Sequence, residues 1–483
     1  MNYDCIIIGA GLSGLTAGAK LSKEGRKVLL VEQHAVPGGC ATTFRRKDFL
    51  FEVGLHEMDG LHQKDMKTKI FRDLEVMGAV EFIKVPEFYR FVHKNYNIVI
   101  PHDPEAAKTV LLQYFPDEKP GIDAYFHQVL NAREIIKNSE NEAEKNLGEF
   151  LDSIIVSNDL KLALLGNLGY FHDDPYSMSL SYYSVAQGSY YTGGGYFIKG
   201  GSQKLSDYLA GYISKKGGNV LLNHRVTEIL TENNRAVGIT CKKKNSDEIV
   251  KAYGTYIISN AAIPQVAYNL LPEGQSGPLR EAVQKRTIGA SLLSLYLGFK
   301  KPLKELGYTY YSTFVFDDSI DSPRDILPNN HSDFATRSFT FVDYNQIDAA
   351  LAPKGKGVGV ICCMDYTKDW EGLSRKEYLD KKEWVAQVFI DKLEKIIPGI
   401  RENIEYYEAG TSKTIERYTL NPQGAVYGFA QTPENVKLEA VKSVDNLYFA
   451  SAWTKIGGGF SGAIFNGYLC AFDIIRNGKK SNE

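Results

Sequence analysis

Residues 1–32 restrict the fold more than any other part of the chain. YDCIIIG, residues 3–9, is a short β-branched run of the kind that fills a buried parallel strand. GAGLSG follows it, with Gly9, Gly11 and Gly14 in G-x-G-x-x-G spacing. SGLTAGAKLSKEG then has helical periodicity, with Leu15, Ala19 and Leu21 near one face and Gly25 as its stop. RKVLLVE is a second strand that ends at Glu32, 21 positions after Gly11. Each part has a physical job. Gly9 permits a tight turn, Gly11 lets a pyrophosphate approach the backbone, and Gly14 lets the helix pack closely on the strand. The helix start offers free N–H groups and a positive dipole end to phosphate. The order predicts a βαβ dinucleotide clamp, with Gly9, Ala10, Gly11, Leu12, Ser13, Gly14, Glu32 and Gln33 as candidate contacts. An acid at the second strand end accepts from ribose hydroxyls, which favours NAD or the ADP half of FAD over NADP. The motif alone leaves NAD and FAD both open.

Two more glycine-rich stretches need a purpose. PGGCATTFRRKDFLFEVGLHEMDG, residues 37–60, is too polar for a core helix and too rich in glycine at its start for a strand. Gly38 and Gly39 let the backbone pass close to another group, and Thr42, Thr43, Arg45 and Arg46 follow. Arg45 and Arg46 read as a solvated turn with counter-charges such as Asp48. Near the C-terminus, NLYFASA reads as a strand and SGAIFNGYLCAFDII as a helix, with Gly457, Gly459 and Gly462 between them. A second nucleotide fold is excluded, because the glycines do not follow the strand directly and no second strand follows the helix. The helix start at Gly459, Phe460, Ser461 and Gly462 is instead a bare row of backbone donors, suited to negative charge on a reduced flavin ring.

Other classes drop out. A formal net charge of −2, from 56 basic and 58 acidic residues, leaves no basic excess for nucleic acid. No apolar run reaches the roughly 18 residues of a transmembrane helix. The N-terminus lacks the basic n-region of a signal peptide. The six cysteines, at 5, 40, 241, 362, 363 and 470, contain no C-x-x-C pair, so free thiols, no zinc site and a reducing, cytoplasmic compartment are expected. Cys362 and Cys363 sit in a strand-like run and should point to opposite faces. His56 and His62 lie six apart in a loop without a metal-ligand constellation, and no Cys–His pair stands at a recognisable site. His56 has a structural reading, as a hydrogen-bonded imidazole, and a chemical one, as a proton donor with the ordinary pKa of about 6.5.

DCIIIGAGLSGLTAGAKL, VEQHAVPGGCATTFRR, FEVGLH, YFIKGGSQKLSDYLAGYISKKGGNVLLNHRVTEI and NLYFASAW…GGGFSGAIFNGYLCA resemble the phytoene desaturase, carotenoid isomerase and retinol saturase family of FAD oxidoreductases. Glu32-Gln33-His34, Gly38-Gly39-Cys40 and Gly54-Leu55-His56 are most similar to the retinol saturase branch. The resemblance implies one extended FAD, with the first helix on the pyrophosphate. It implies that the 37–60 loop runs beneath the diphosphate toward the isoalloxazine, that His56 ends near the ring, and that Val226 lies where the backbone meets the adenine. Relatives commonly carry an acid just before the last glycine cluster. Here ASAWTKIGGG has none, and Ser451 or Thr454 is the expected substitute.

The resulting fold class is α/β. A discontinuous, Rossmann-like FAD-binding domain from 1–75, 195–262 and 440–483 carries an inserted mixed α+β substrate-binding domain from 76–194 and 263–439. YRFVHKNYNIVIP reads as a hairpin turning at Lys94-Asn95, residues 104–170 as helices, and 288–299, 310–316, 337–343 and 357–366 as sheet strands. SYYSVAQGSYYTGGGYF, residues 181–197, has a packing reading and a reading as the aromatic wall of a site for an elongated apolar substrate. The implied activity is saturation, desaturation or isomerisation of carbon–carbon double bonds in a polyene, isoprenoid or lipid such as a carotenoid or retinoid. NAD(P)H visiting the flavin face, or an electron-carrying partner, would supply reductant, and an apolar substrate implies peripheral membrane contact. The rivals are a flavin amine oxidase or porphyrinogen-type oxidase and a non-catalytic carrier resembling GDP-dissociation inhibitors. No oligomeric state is legible.

Overall fold

The computed structural model describes residues 2–138, 143–437 and 444–480. Two seven-stranded sheets organise them. The first runs Asn219–Leu221, Val28–Val31, Asn2–Ile8, Ile249–Ser259, Arg235–Lys243 and His224–Glu232, with Leu447–Phe449 paired to Ile249–Ser259. Asn2–Ile8 is parallel to both neighbours, Cys5 opposing Val28 on one side and Tyr256 on the other. A central parallel strand is covered on both faces, which is why CIII is apolar without alternation. On one side the helices Leu12–Lys23, Gln203–Lys215 and Gly459–Lys480 pack together. The contact between the first and last of these is close because Gly467 lacks a side chain; a Cβ there would meet the Ser13 carbonyl at 2.2 Å.

The second sheet runs Ile404–Gly410, Ser291–Phe299, Gly357–Asp365, Phe339–Asp343, Ser312–Val315, Tyr89–His93 and Tyr96–Ile100. It is antiparallel except where Ser312–Val315 meets Tyr89–His93. Strand alternation gives it two apolar faces. Leu293, Leu295, Leu297 and Cys363 face the long helix Arg375–Ile396, while Tyr296, Val360 and Cys362 join the core around Phe49 and Phe51. The adjacent cysteines therefore do point opposite ways, and all six cysteines are free. The hairpin turns at Lys94, whose φ of 48° is left-handed. Short helices between 104 and 170 and the helix Leu180–Gly193 pack over it. A small sheet of Met58–Asp59, Gly195–Ile198 and Phe82–Lys84 joins the two regions.

Candidate active site

The nucleotide end forms as its spacing demands. Gly9 N–H donates to the Val31 carbonyl at 2.8 Å, which brings the glycine turn against the second strand end. Glu32 is buried, and its Oε2 and Oε1 accept from the backbone N–H groups of Ala10 and His34 at 2.7 and 2.9 Å. Gly38 N–H donates to the Ala10 carbonyl at 2.7 Å, so the two glycine loops lie against each other. The helix Leu12–Lys23 starts without a side-chain cap, and the buried Ser13 hydroxyl in its first turn has no partner. A Cβ on Gly11 would sit 2.5 Å from Asn260 Oδ1, so the space over that turn is kept by the absence of a side chain.

A cavity of about 2020 Å³ extends from this end to the second sheet. Gly9, Gly11, Leu12, Ser13, Glu32, Gln33, Gly38, Gly39, Cys40, Thr42, His56, Val226, Gly459, Phe460, Ser461 and Gly462 all line it. Ala10, Gly14 and Leu55 do not. The Ala10 side chain is buried in the core, Gly14 sits where a Cβ would be 2.2 Å from the Gly9 carbonyl, and Leu55 is a core side chain whose carbonyl accepts from the Tyr344 hydroxyl at 3.0 Å. Some wall side chains are already engaged. Gln33 donates to the Tyr418 carbonyl at 3.1 Å and the Thr42 hydroxyl bonds Gln203. Arg46 pairs with Glu408 at 2.7 Å rather than with Asp48. Ser451 and Thr454 do not take the place of an acid on the wall. Their groups tie down the turn before the last helix: Thr454 Oγ1 donates to Asn466 Oδ1 at 2.6 Å, and Asn466 donates to the Ser451 carbonyl at 3.0 Å.

The inner end carries most of the titratable groups. Glu52 accepts from Ser202 N and Oγ, both at 2.7 Å, and from Gly54 and Leu55 N–H at 3.2 and 3.1 Å, which pins the loop before His56. His56 Nε2 lies 3.4 Å from Cys362 Sγ, so a Cys–His pair exists where none was expected. Burial drives the imidazole down to about 4 and the thiol up to about 12, so both are neutral at neutral pH. His56 is thereby not a reservoir of imidazolium protons. At the N-terminus of Gly459–Lys480, the fully buried Lys67 donates to Ser461 Oγ at 2.8 Å and lies 3.4 Å from Asp59 Oδ2. Burial acts to raise Asp59, but Lys67, Ser189 and Ser461 outweigh it and hold the carboxyl below its usual range. An acid does face this helix end, from residue 59 rather than from the segment before the glycines. The aromatic stretch divides: Tyr182 and Tyr190 line the cavity beside Tyr170, Phe314 and Tyr427, while Tyr183 and Tyr191 pack in the helical core.

A glycine-rich cradle and an aromatic chamber share one cavity, and sequence comparison gives the class. Residues 12–475 match the family described as flavin containing amine oxidoreductase. The chain belongs to that family. Its relatives include the chloroplastic prolycopene isomerase of Daucus carota, 28% identical with 98% of this chain and 80% of that protein covered. They also include the all-trans-retinol 13,14-reductase of Danio rerio, 25% identical with 98% and 86% covered. Both agree with the resemblance read from the motifs. A solved oxidoreductase from Methanosarcina mazei superposes with a TM-score of 0.69 at 18% identity, covering 98% of this chain and 100% of that one. This member of the flavin containing amine oxidoreductase family is an FAD-dependent oxidoreductase. The structure suits the cofactor on its own terms. The uncapped helix start at Gly11, Leu12 and Ser13 is on the cavity wall, and the cavity volume exceeds the roughly 300–1,000 Å³ of a single small-ligand site. Asn260, Asp59, Lys67 and Glu57 are the site groups that sequence reasoning missed. None sits in a recognisable motif, and each is placed by long-range packing.

Proposed function

We propose that this chain acts on carbon–carbon double bonds of a long apolar polyene, isoprenoid or lipid, by saturation, desaturation or isomerisation. The carrying observation is the single cavity that runs from the glycine clamp to the aromatic chamber. In this reading the turn from Gly9 to Gly14 holds the FAD pyrophosphate, Glu32 takes the ribose, and Val226 lies beside the adenine. Gly38 and Gly39 pass under the diphosphate, and the helix start at Gly459–Gly462 faces the isoalloxazine. The bound flavin supplies hydride transfer. The protein residues orient the substrate, exclude water and manage protons. The relatives named as a prolycopene isomerase and a retinol reductase support this substrate class. NAD(P)H or an electron-carrying partner supplies reductant.

An anaerobic panel of apolar polyenes, offered to oxidised and to reduced enzyme and read by mass, tests the reading. A gain of two hydrogens, a loss of two, or unchanged mass with altered geometry identifies the direction. Amine oxidation is the second reading, favoured by the family description. Amines in the same panel decide it: flavin reduction by an amine with none by polyenes reverses the order. Among the described residues no helix is long and apolar enough to cross a membrane. A substrate that partitions into bilayers therefore calls for peripheral contact, and co-flotation with substrate-loaded liposomes is expected. Protein that stays at the bottom of the gradient rejects that contact.

A further inference from the structure

The cavity wall is more positive than the chain as a whole. Lysines and arginines outnumber aspartates and glutamates on it, although the formal net charge of the protein is −2. The glycine turn and the helix start at the clamp suit the FAD phosphates, and they leave one group of cations unexplained. Arg375 opens the helix Arg375–Ile396, and Lys382 follows two turns on. Lys413 and Arg417 lie one turn apart on the helix Ser412–Thr419. All four line the cavity. Arg375 and Arg417 are also exposed, so the wall reaches solvent here and forms a mouth.

Helix periodicity shows why these cations are unusual. Ala386, Phe389, Ile390 and Leu393 are the buried stripe of Arg375–Ile396. The same stripe, continued toward the helix start, is Arg375, Tyr378 and Lys382, and there it lines the cavity. The Tyr378 hydroxyl shares a 2.8 Å hydrogen bond with Thr411 Oγ1, which ties the two helices together two residues before Lys413. The Arg375 guanidinium and the Lys382 ammonium each stand 5.7 Å from the Tyr378 ring centre. Neither makes an ion pair or hydrogen bond among the described residues. The acids of these segments are spent elsewhere. Glu377 caps its own helix, Glu383 accepts from the Tyr407 hydroxyl, and Glu408 pairs with Arg46. Glu416 lies 3.4 Å from Lys413 but does not line the cavity. Behind the cations the wall is apolar, with Leu373, Ile415, Met364 and Trp370.

We propose that Arg375, Lys382 and Lys413 bind the anionic end of an amphipathic substrate, a carboxylate or phosphate ester on a long apolar chain that runs inward past Leu373 and Ile415. This narrows the substrate class of the double-bond reading above and rests on it. Arginine offers paired N–H donors that match either anion, and the lysines add point charges. Burying a charged end group in an apolar chamber is costly, whereas leaving it at a wet, cationic mouth is not. The site therefore sets direction, with the head outward and the chain inward. It also sets how far the chain reaches, and so which double bond arrives at the reacting position.

Binding to the oxidised holoenzyme tests this without turnover. Retinoic acid and docosahexaenoic acid, each beside its methyl ester, are titrated by calorimetry and by the change in the visible flavin band. At low salt the wild type should bind each acid about tenfold or more tighter than its ester, and added salt should shrink that preference. Arg375→Glu and Lys382→Glu should each abolish it. Lys395→Glu, exposed at the far end of the same helix, makes the same change in net charge and should leave the preference intact. Equal binding of acid and ester by the wild type overturns the proposal, and so does a preference that the mouth variants do not move or that Lys395→Glu removes equally. NADPH and phosphatidylglycerol vesicles are tested on the same proteins. If the mouth variants lose affinity for either one while the acid–ester preference stays, the cations serve reductant or lipid headgroups and the proposal falls. An acid preference that depends on the mouth, in an enzyme that turns over no polyene, supports the anion site and rejects the double-bond reading alone.

Discussion

Cys362 Sγ and His56 Nε2 share a 3.4 Å hydrogen bond, and Cys362 Sγ lies equally far from Ser294 Oγ. With the thiol raised to about 12 and the imidazole lowered to about 4, this is a neutral chain that fixes the ring, not a thiolate–imidazolium pair. His56→Gln should therefore retain FAD and lose less than the roughly 10²-fold expected for removing an acid–base group. Flavin content and single-turnover rate measured together check this. A larger loss at full flavin content would return His56 to the chemistry.

The same burial makes the fold acid-sensitive. A histidine whose folded pKa lies below its unfolded value costs nothing above pH 6.5, where both states are neutral. Below that the unfolded chain gains a proton that the folded one refuses. The His56 contribution is lost progressively from about pH 6.5 down to about 4 and amounts to about 3 kcal/mol. Urea unfolding of wild type and His56→Gln across this range should show the wild type losing ground as pH falls, with a constant difference above pH 7.

Gly11→Val should give a folded, colourless protein. The new side chain would meet Asn260, whose Nδ2 donates to the Ala450 carbonyl at 2.9 Å, and would fill the face that opens on the cavity. Circular dichroism and flavin absorbance are the measurements, and a yellow variant would remove the pyrophosphate assignment.

Glu32 serves the fold as well as the ribose. Alanine at 32 strands the buried Ala10 N–H and the His34 N–H, so it should lower stability by about 1.5–3 kcal/mol as well as weaken FAD. Glutamine keeps one acceptor oxygen and should recover part of the stability while still binding FAD more weakly. Equal affinity in Glu32→Gln and wild type, by calorimetry, would refute the ribose contact.

Lys67→Met removes the buried cation that faces the half-buried Asp59 carboxylate. Breaking a buried pair from one side costs about 3–5 kcal/mol. The double variant Asp59→Asn/Lys67→Met should regain part of that stability, because only Asp65, 4.0 Å from Lys67 Nζ, is then left without its cation. Thermal unfolding of the three proteins shows it, and additive losses would contradict the coupling.

What the sequence determined by itself was local. The clamp was legible because its determinants lie within 32 residues: a β-branched run, three glycines at fixed spacing, a helix of small and apolar residues and an acid at a strand end. The last helix, the hairpin at Lys94 and the strands of the second sheet other than its edge strand Ile404–Gly410 followed from periodicity and turn residues in the same way. Only the tertiary structure decided the inner site. Cys362 reaches His56 across 306 residues of chain and Lys67 reaches Ser461 across 394. Ser451 and Thr454 had the right position in the sequence for the cavity wall, yet their turn closes on Asn466. The protonation states of His56, Asp59 and Glu57 are set by desolvation and by whichever charge packs alongside. Those are properties of assembled neighbours from several segments, and no spacing along the chain encodes them.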